Sequence, residues 1–404
     1  MKTEQTRTLR AKLFKPNSRK RKLLNSSFKA YQEALEEGVE KSIDTISDAN
    51  GLVVQYDLSG HMKNALKKHI PKVVKNGGRE VSDNNALKIT NEGVKLDYQP
   101  ENHHKFYVNL PSTWQRGGYW CPIEINPSQE KFYHKLLDEE VKMGEVQVIR
   151  KDDEFYVHIV VKYEVEIRNP RECTTTVGLD VGDNTLVAGC SLNGSVEPMR
   201  GEVWSGNECK RLRKEWHTVK ERLQSRGSEK IFDDIGDNIW NRMDDIIHKT
   251  TREVVEYVKQ FDEPVIVLED LKYVRENMDY GKYMNERLHS WAFRKLQEQI
   301  EYKASDEGIP VVYVNPENTS KECHHCGDKG VRKGNLFRCT NDGCPITEYH
   351  ADLSASISIA KRGRESLLKK TEGDDLTSHG ARLTVPQDST SEVTHTDEEV
   401  SYAS

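Results

Sequence analysis

No apolar run in this sequence approaches the roughly 20 residues needed to span a bilayer. The opening residues, MKTEQTRTLR, lack the apolar stretch that a secretory signal requires. Both absences point to a cytoplasmic protein. A disulfide framework is missing as well. Of eight cysteines, Cys121, Cys173, Cys190 and Cys209 are scattered singly, whereas Cys323, Cys326, Cys339 and Cys344 fall within 22 residues. That uneven usage fits one metal site plus free thiols in a reducing compartment.

Excess positive charge is also absent, because the chain carries a net −6. The total hides an uneven distribution. Residues 371–404 hold eight acids against the single base Arg382, a local −7, so the other 370 residues sum to +1. Residues 1–24 hold nine bases against one acid, and KRGRESLLKK at 361–370 is +4. Phosphate affinity follows local Lys and Arg density, so a nucleic-acid partner stays open. Taken singly, either basic run is also compatible with a merely solvated face.

What is present is enough for a sizeable core. With 404 residues and 35% hydrophobic content, two or three domains are expected. The alternation Leu9–Ala11–Leu13 reads as a strand stopped by Pro16. Leu24, Phe28, Tyr31, Leu35 and Val39, spaced by threes and fours, predict an amphipathic helix. Weaker helical pattern runs from about 40 to 85, with breaks expected at Gly51, Pro71 and Gly77–Gly78. From about 87 to 166 the period changes to two. LKITNEGVKLDY predicts a hairpin turning at Asn91–Glu92–Gly93, and GEVQVIRKDDEFYVHIVVKYEV one turning near Lys151–Glu154. With FYVNLP and YWCPIEI as further strands, this region reads as a small barrel.

After residue 177 the pattern becomes α/β. VGLDVG and TLVAGCSL form a strand pair, two helical stretches follow over about 205–260, and PVIVLEDL reads as a strand buried on both faces. A helix around 291–303, the strand IPVVYV, the cysteine cluster and a helix near 352–363 complete the fold. Beyond 370 the chain is polar, acidic and aperiodic, and is expected to lack regular structure.

The cluster CHHCGDKGVRKGNLFRCTNDGC has the spacing C-x2-C, twelve residues, C-x4-C. Two thiolate pairs on turns supply the four tetrahedral ligands of a structural zinc, with Gly327 and Gly343 permitting the tight turns. Two disulfides are the alternative reading, and His324 or His325 could stand in for one cysteine. Three carboxylates also call for explanation. Asp180 lies in an apolar strand, Glu269 near the end of another, and Asp352 at the start of the last helix. Burying a carboxylate is costly unless a metal or donor compensates, and convergent carboxylates can hold two cations roughly 3.5–4 Å apart. Glu269 and Asp270 would face opposite sides of a continuous strand, Asp183 has the turn GDN as its reason, and Asp352 could be a helix N-cap. The residues alone reach a metal-dependent nuclease with a zinc ribbon and go no further.

LRAKLFKPNSRKRKLL, VGLDVGDNTLVAG, HKTTREVVEYV, VIVLEDL, VVYVNPENTSKECHHCG and FRCTNDGCPITEYHADLSASISIA, in that order, make the sequence similar to TnpB proteins. These are also called OrfB or IS605-type transposases, and are relatives of type V CRISPR effectors. The resemblance implies an α/β RNase H-like RuvC nuclease domain at 171–365 with a zinc-ribbon insertion at 318–349. It also implies an N-terminal β-barrel wedge and recognition module at 1–170, with a helical insert at about 17–85, and leaves an acidic disordered tail at 366–404. Carried over by position, it makes Asp180, Glu269 and Asp352 the catalytic acids that bind magnesium, and Cys323, Cys326, Cys339 and Cys344 the zinc ligands. An assisting arginine falls on Arg332, with Arg338 as the other choice, and Arg19, Lys20, Arg21 and Lys22 become phosphate contacts. The implied function is RNA-guided DNA cleavage with a guide RNA from the transposon end and target double-stranded DNA as partners, in a prokaryotic cytoplasm. Alternatives are a guided binder that does not cut and a transposase that needs no guide. The chain departs from the family pattern after Asp352, where Ser354, Ser356 and Ser358 replace Asn, Ala and Asn.

Overall fold

A computed structural model describes residues 2–77, 85–151, 153–193, 198–224, 229–271, 283–368 and 381–383. The chain divides into two compact units, one over residues 4–164 and the other over 165–387.

In the first unit, β1 (Lys2–Leu13) buries Leu9, Ala11 and Leu13 as the alternation predicts. The chain then enters α1 (Ser18–Glu40), capped by Asn17, whose side chain accepts from the Lys20 amide. Leu24, Tyr31, Leu35 and Val39 are buried, the face expected from the spacing. Two further helices follow, α2 (Ile46–Val53) and α3 (Gly60–Lys75). The breaks expected at Gly51 and Pro71 do not occur. Gly51 lies inside α2, and Pro71 is buried inside α3, one turn before its end. Burial of Met62, Leu66 and Ile70 along that helix outweighs the one amide bond that proline removes. The chain does turn at Gly77, with φ +78° just past the helix cap.

The strands β2 (Leu87–Ile89), β3 (Lys95–Tyr98), β4 (Phe106–Leu110), β5 (Tyr119–Ile125), β6 (Lys142–Lys151) and β7 (Glu154–Glu166) join β1 in a seven-stranded sheet. A short helix, α4 (Glu130–Leu137), lies between β5 and β6. Where a small barrel was expected, the strand order is β2-β6-β7-β1-β5-β4-β3. The β6–β7 hairpin forms as expected, with Lys151 opposite Glu154. The hairpin expected at Asn91–Gly93 does not form, because β2 pairs β6 and β3 pairs β4, at opposite ends of that order. Gly93 has a negative φ and instead sits against His61 of α3, where an added Cβ would lie 2.6 Å from the histidine Cβ. The turn residues make a one-turn 3-10 helix (Asn91–Gly93) that leads the chain from one edge strand toward the other.

In the second unit, β8 (Thr175–Val181), β9 (Thr185–Asn193) and β10 (Pro198–Ser205) run antiparallel in succession. Then come α5 (Asn207–Gln224), α6 (Glu229–Val258), β11 (Pro264–Glu269), α7 (Tyr283–Asp306) and β12 (Val311–Val314). Strand β11 lies between β8 and β12 and is parallel to both. A three-stranded ribbon, β13 (Gly330–Lys333), β14 (Leu336–Cys339) and β15 (Glu348–His350), precedes α8 (Ala351–Leu368). Residues 381–383, expected to lack regular structure, form β16 (Ala381–Leu383), which pairs antiparallel with β12. The other tail residues, including the eight acids, lie outside the described residues.

Side-chain parity separates the two faces of this sheet. Val177 and Leu179 of β8 and Ile266 and Leu268 of β11 pack with Val254, Tyr257 and Val258 of α6 and Leu296 and Ile300 of α7. The opposite parity meets α8, where Val267 clusters with Ile359. Gly178 carries that contact. A Cβ there would lie 2.1 Å from the Ser356 carbonyl oxygen and 2.5 Å from the Ala360 nitrogen, so backbone touches backbone. Gly178→Val is therefore expected to lower unfolding free energy by roughly 1–3 kcal/mol or more. Gly51→Ala, facing open space in α2, is expected to raise it by roughly 0.5–1 kcal/mol. Thermal unfolding of the two variants measures both.

Candidate active site and thiolate centre

The close approach at Gly178 fixes what stands next to what. From Gly178, two residues along β8 lead to Asp180 on the same face; from Ser356, one turn back along α8 leads to Asp352. Two strand residues advance about 6.6 Å and one helical turn about 5.4 Å, so the two carboxylates end side by side. On β11, Glu269 shares parity with Val267 and so faces α8, while Asp270 has the opposite parity. Asp270 is buried, and its amide donates to the Val314 carbonyl at 2.8 Å. Three elements thus deliver three acids to one end of the sheet.

Their electrostatics register the meeting. Asp180 is 9% exposed, and burial first, then the charges of Glu269 and Asp352, push its carboxyl up to about 8. Burial likewise raises Glu269, partly offset by the Thr319 hydroxyl that donates to it. Asp352, 5% exposed, accepts from the Thr185 hydroxyl at 2.7 Å and forms an ion pair with Arg332. It lies inside the first turn of α8 rather than at the N-cap, since His350 Nδ1 accepts from the Leu353 amide at 3.4 Å. The Gln297 amide donates to the Glu269 carbonyl at 2.8 Å. Thr185, Thr319 and Gln297 escaped the sequence reading. Thr319 stood within ENTSKECHHC and Thr185 within VGLDVGDNTLVAG, whereas nothing in the local pattern marked Gln297. Asp183 pairs instead with Arg213 of α5.

The ribbon supplies the arginine. Arg332 on β13 reaches Asp352, whereas Arg338 on β14 turns to Glu348 at 2.5 Å. Among the described residues, the four cysteines are the group whose ligand atoms all lie within 4.8 Å of one another. The sulfurs of Cys323 and Cys344 are 3.8 Å apart, and those of Cys326 and Cys339 are 3.5 Å apart. Tetrahedral Zn–S bonds of about 2.3 Å require sulfurs about 3.8 Å apart, far beyond a disulfide length. The disulfide alternative therefore falls, and all eight cysteines are free. The irregular C-x4-C is accommodated by Asn341, which accepts from the amides of Cys344 and Gly343. His325 Nδ1 stands 3.9 Å from the Cys344 sulfur, outside a completed four-thiolate shell.

His324 points the other way. Buried, it hydrogen-bonds Ser354 Oγ on α8 at 2.9 Å and packs on Tyr349, while Lys361 Nζ donates to its carbonyl. Arg362 donates to the carbonyls of Asn315 and Glu317 and pairs with Glu322 at 2.6 Å. Two of the bases in the 361–370 run therefore hold the ribbon's base rather than standing free for phosphate; Lys369 and Lys370 lie outside the described residues. In the other unit, Arg19 and Lys22 are exposed on α1, but Arg21 donates to the Pro16 and Asp153 carbonyls.

A family model for the Cas12f1-like TNB domain matches residues 293–359, from within α7 through the ribbon to Asp352. A TnpB-like protein of Methanocaldococcus jannaschii is 26% identical over 60% of this chain and 86% of its own length. The chain is thus similar to TnpB proteins and to type V effectors. Two CRISPR-associated endodeoxyribonucleases are also similar: Cas12f2 of a Micrarchaeota archaeon, 28% identical over 52% of this chain, and Cas12f1 of Sulfoacidibacillus thermotolerans, 26% over 59%. The chain spans 40% and 58% of those two longer proteins. A solved Cas12f1–sgRNA–target DNA complex shares the fold, with TM-score 0.57 and 15% identity over 84% of this chain and 81% of that one.

The raised Asp180 has a measurable consequence. A carboxyl that holds its proton more tightly when folded favours the fold fully below about pH 4 and loses that contribution as pH rises toward 8. With chelator present, Asp180→Asn is expected to exceed the wild type in Tm at pH 8 by clearly more than at pH 5. Magnesium is expected to raise Tm of the wild type alone at pH 8. An equal gap at both pH values contradicts this reading.

Proposed function

We propose that this chain is a transposon-encoded, RNA-guided DNA endonuclease of the RuvC type. Asp180, Glu269 and Asp352 would hold the catalytic divalent cations. The observation that carries the reading is the delivery of these carboxylates, from β8, β11 and α8, to one place where burial and neighbouring negative charge hold the Asp180 proton well above the usual carboxylate range, a cost that bound cations would relieve. An all-oxygen donor set suits magnesium. Convergent carboxylates of this kind can hold a pair of ions about 3.5–4 Å apart. When bound, such ions supply an activated water and stabilise the leaving oxygen of a phosphodiester.

The chain's own groups prepare that chemistry. Thr185 and Thr319 fix the carboxylate orientations by donating to Asp352 and Glu269. Arg332 presents a planar guanidinium at the edge of the cluster, a shape suited to the equatorial oxygens of a phosphate. The closed shell of four thiolates suits a structural zinc, which would hold the ribbon that carries Arg332. Relatives named as endodeoxyribonucleases, and a fold neighbour solved with guide RNA and target DNA, support RNA and DNA as partners. Base pairing would then carry sequence specificity. Arg19, Lys20 and Lys22 on α1 would add phosphate contacts that weaken with salt.

The test uses protein purified from cells carrying its native locus, with the RNA that accompanies it sequenced. Cleavage of a plasmid matching that RNA, dependent on magnesium and lost in Asp180→Ala, is the expected result. RNA-dependent binding with no cutting would leave a guided regulator, and cutting of transposon ends without RNA a guide-independent transposase. In the same assay, Arg332→Ala is expected to slow cleavage by about a hundredfold with its four-thiolate metal content unchanged.

A further inference from the structure

Among the described residues, the large apolar side chains that stand exposed include two aromatics, Trp114 at 72% and Trp120 at 41%. Both belong to one small piece of the first unit, and Asn109 holds that piece together. Across three strands, Lys95 of β3, Asn109 of β4 and Trp120 of β5 are successive partners in register. They share the face opposite Val108 and Cys121, which are buried. Asn109 lies on that outer face yet is only 6% exposed, because the loop from Pro111 to Gly118 folds back over it. Its Nδ2 donates to the Gly117 carbonyl at 3.0 Å. The fold-back needs its glycines: Gly117 and Gly118 have φ of +82° and +72°, and a Cβ on Gly118 would lie 2.5 Å from Asn109 Oδ1. The same loop carries Trp114 and the exposed Arg116. Lys95 and Arg116 have no ion-pair partner among the described residues.

The geometry points to a binding site for unpaired bases of single-stranded RNA, with Trp120 and Trp114 as stacking surfaces and Lys95 and Arg116 as phosphate contacts. Two indoles left exposed, beside cations without partners and on a loop pinned by a buried amide, answer the needs of a base and its phosphate. A protein partner would want a contiguous apolar patch. Here Trp120 has the polar Asn109 and Lys95 beside it in register, and Trp114 has Gln115 and Arg116 next along its loop. On this face Asp97 stands two residues from Lys95 and Glu124 four residues from Trp120 along their strands; Asp97 accepts from Gln99, and Glu124 lies opposite Lys12. The inference rests on the guide-RNA reading above, since a bound guide keeps loops and ends unpaired; the displaced DNA strand is the competing single strand, which the DNA arm of the titration separates.

The experiment is a titration of the full chain, freed of co-purified RNA, with short oligoadenylate RNA and the matching DNA. Tryptophan emission and probe anisotropy are both recorded. The wild type is expected to show quenching on RNA addition, and Trp120→Ala and Trp114→Ala each to bind RNA about tenfold more weakly. Trp120→Phe should keep most of the affinity, and Arg116→Ala should reduce the salt slope by about one. Unchanged Tm in all four variants checks that the fold is intact. Wild-type affinity in both alanine variants, absence of quenching, or equal affinity for DNA overturns the assignment. Tryptophan-dependent RNA binding without plasmid cleavage would sink the nuclease reading alone. Guided cleavage with both tryptophans dispensable for RNA would sink this one alone.

Discussion

The contact between α8 and β8 at Gly178 is the constraint on which the second unit depends. A helix normally stands off a sheet by the length of two side chains. Here one layer is missing, because Gly178 has no Cβ and the helix turns its Ser356 backbone toward it. Gly363 repeats the device two turns later, where a Cβ would lie 2.4 Å from Val267 Cγ2. Two such points fix the helix in height and in rotation. Asp352, near its first residue, has no freedom to drift from Asp180.

Small residues along α8 then serve two purposes at once. Serines at 354, 356 and 358 are short enough for the close approach, and each satisfies its hydroxyl: Ser354 with His324, Ser356 with the Leu353 carbonyl, and Ser358 with the Ser354 carbonyl. The larger amide of an asparagine at 354 or 358 would demand partners and space. The departure from the family pattern is thus internally compensated, and the substitution at 354 turns outward to the ribbon rather than toward the carboxylates.

Much of this was legible in the residues. Period and spacing gave β1, α1, the β6–β7 hairpin and the strands around Asp180 and Glu269, since each follows from local alternation or burial. The four thiolates were legible because tetrahedral metal geometry tolerates few spacings. Arg332 could be nominated by resemblance, but its choice over Arg338 depends on the pairing of β13 with β14, which no local pattern encodes. Thr185, Thr319 and Gln297 were hidden for the same reason: polar residues of ordinary type acquire meaning only through partners 28 to 167 positions away. The false hairpin at Asn91–Gly93 shows the opposite failure. A turn signal states that the chain bends, not which strand it meets next, and His61 decided that from 32 residues away.

The ribbon carries Arg332 on β13 while its four cysteines lie on β14 and the turns around it, immediately upstream of the helix that bears Asp352. Small metal-held modules lose their shape when their ligands are oxidised or stripped. An oxidant that paired these sulfurs would distort the ribbon and with it the hold of Arg332 on Asp352. For the nuclease proposed above, cutting would then become sensitive to the oxidation state of the ribbon thiols.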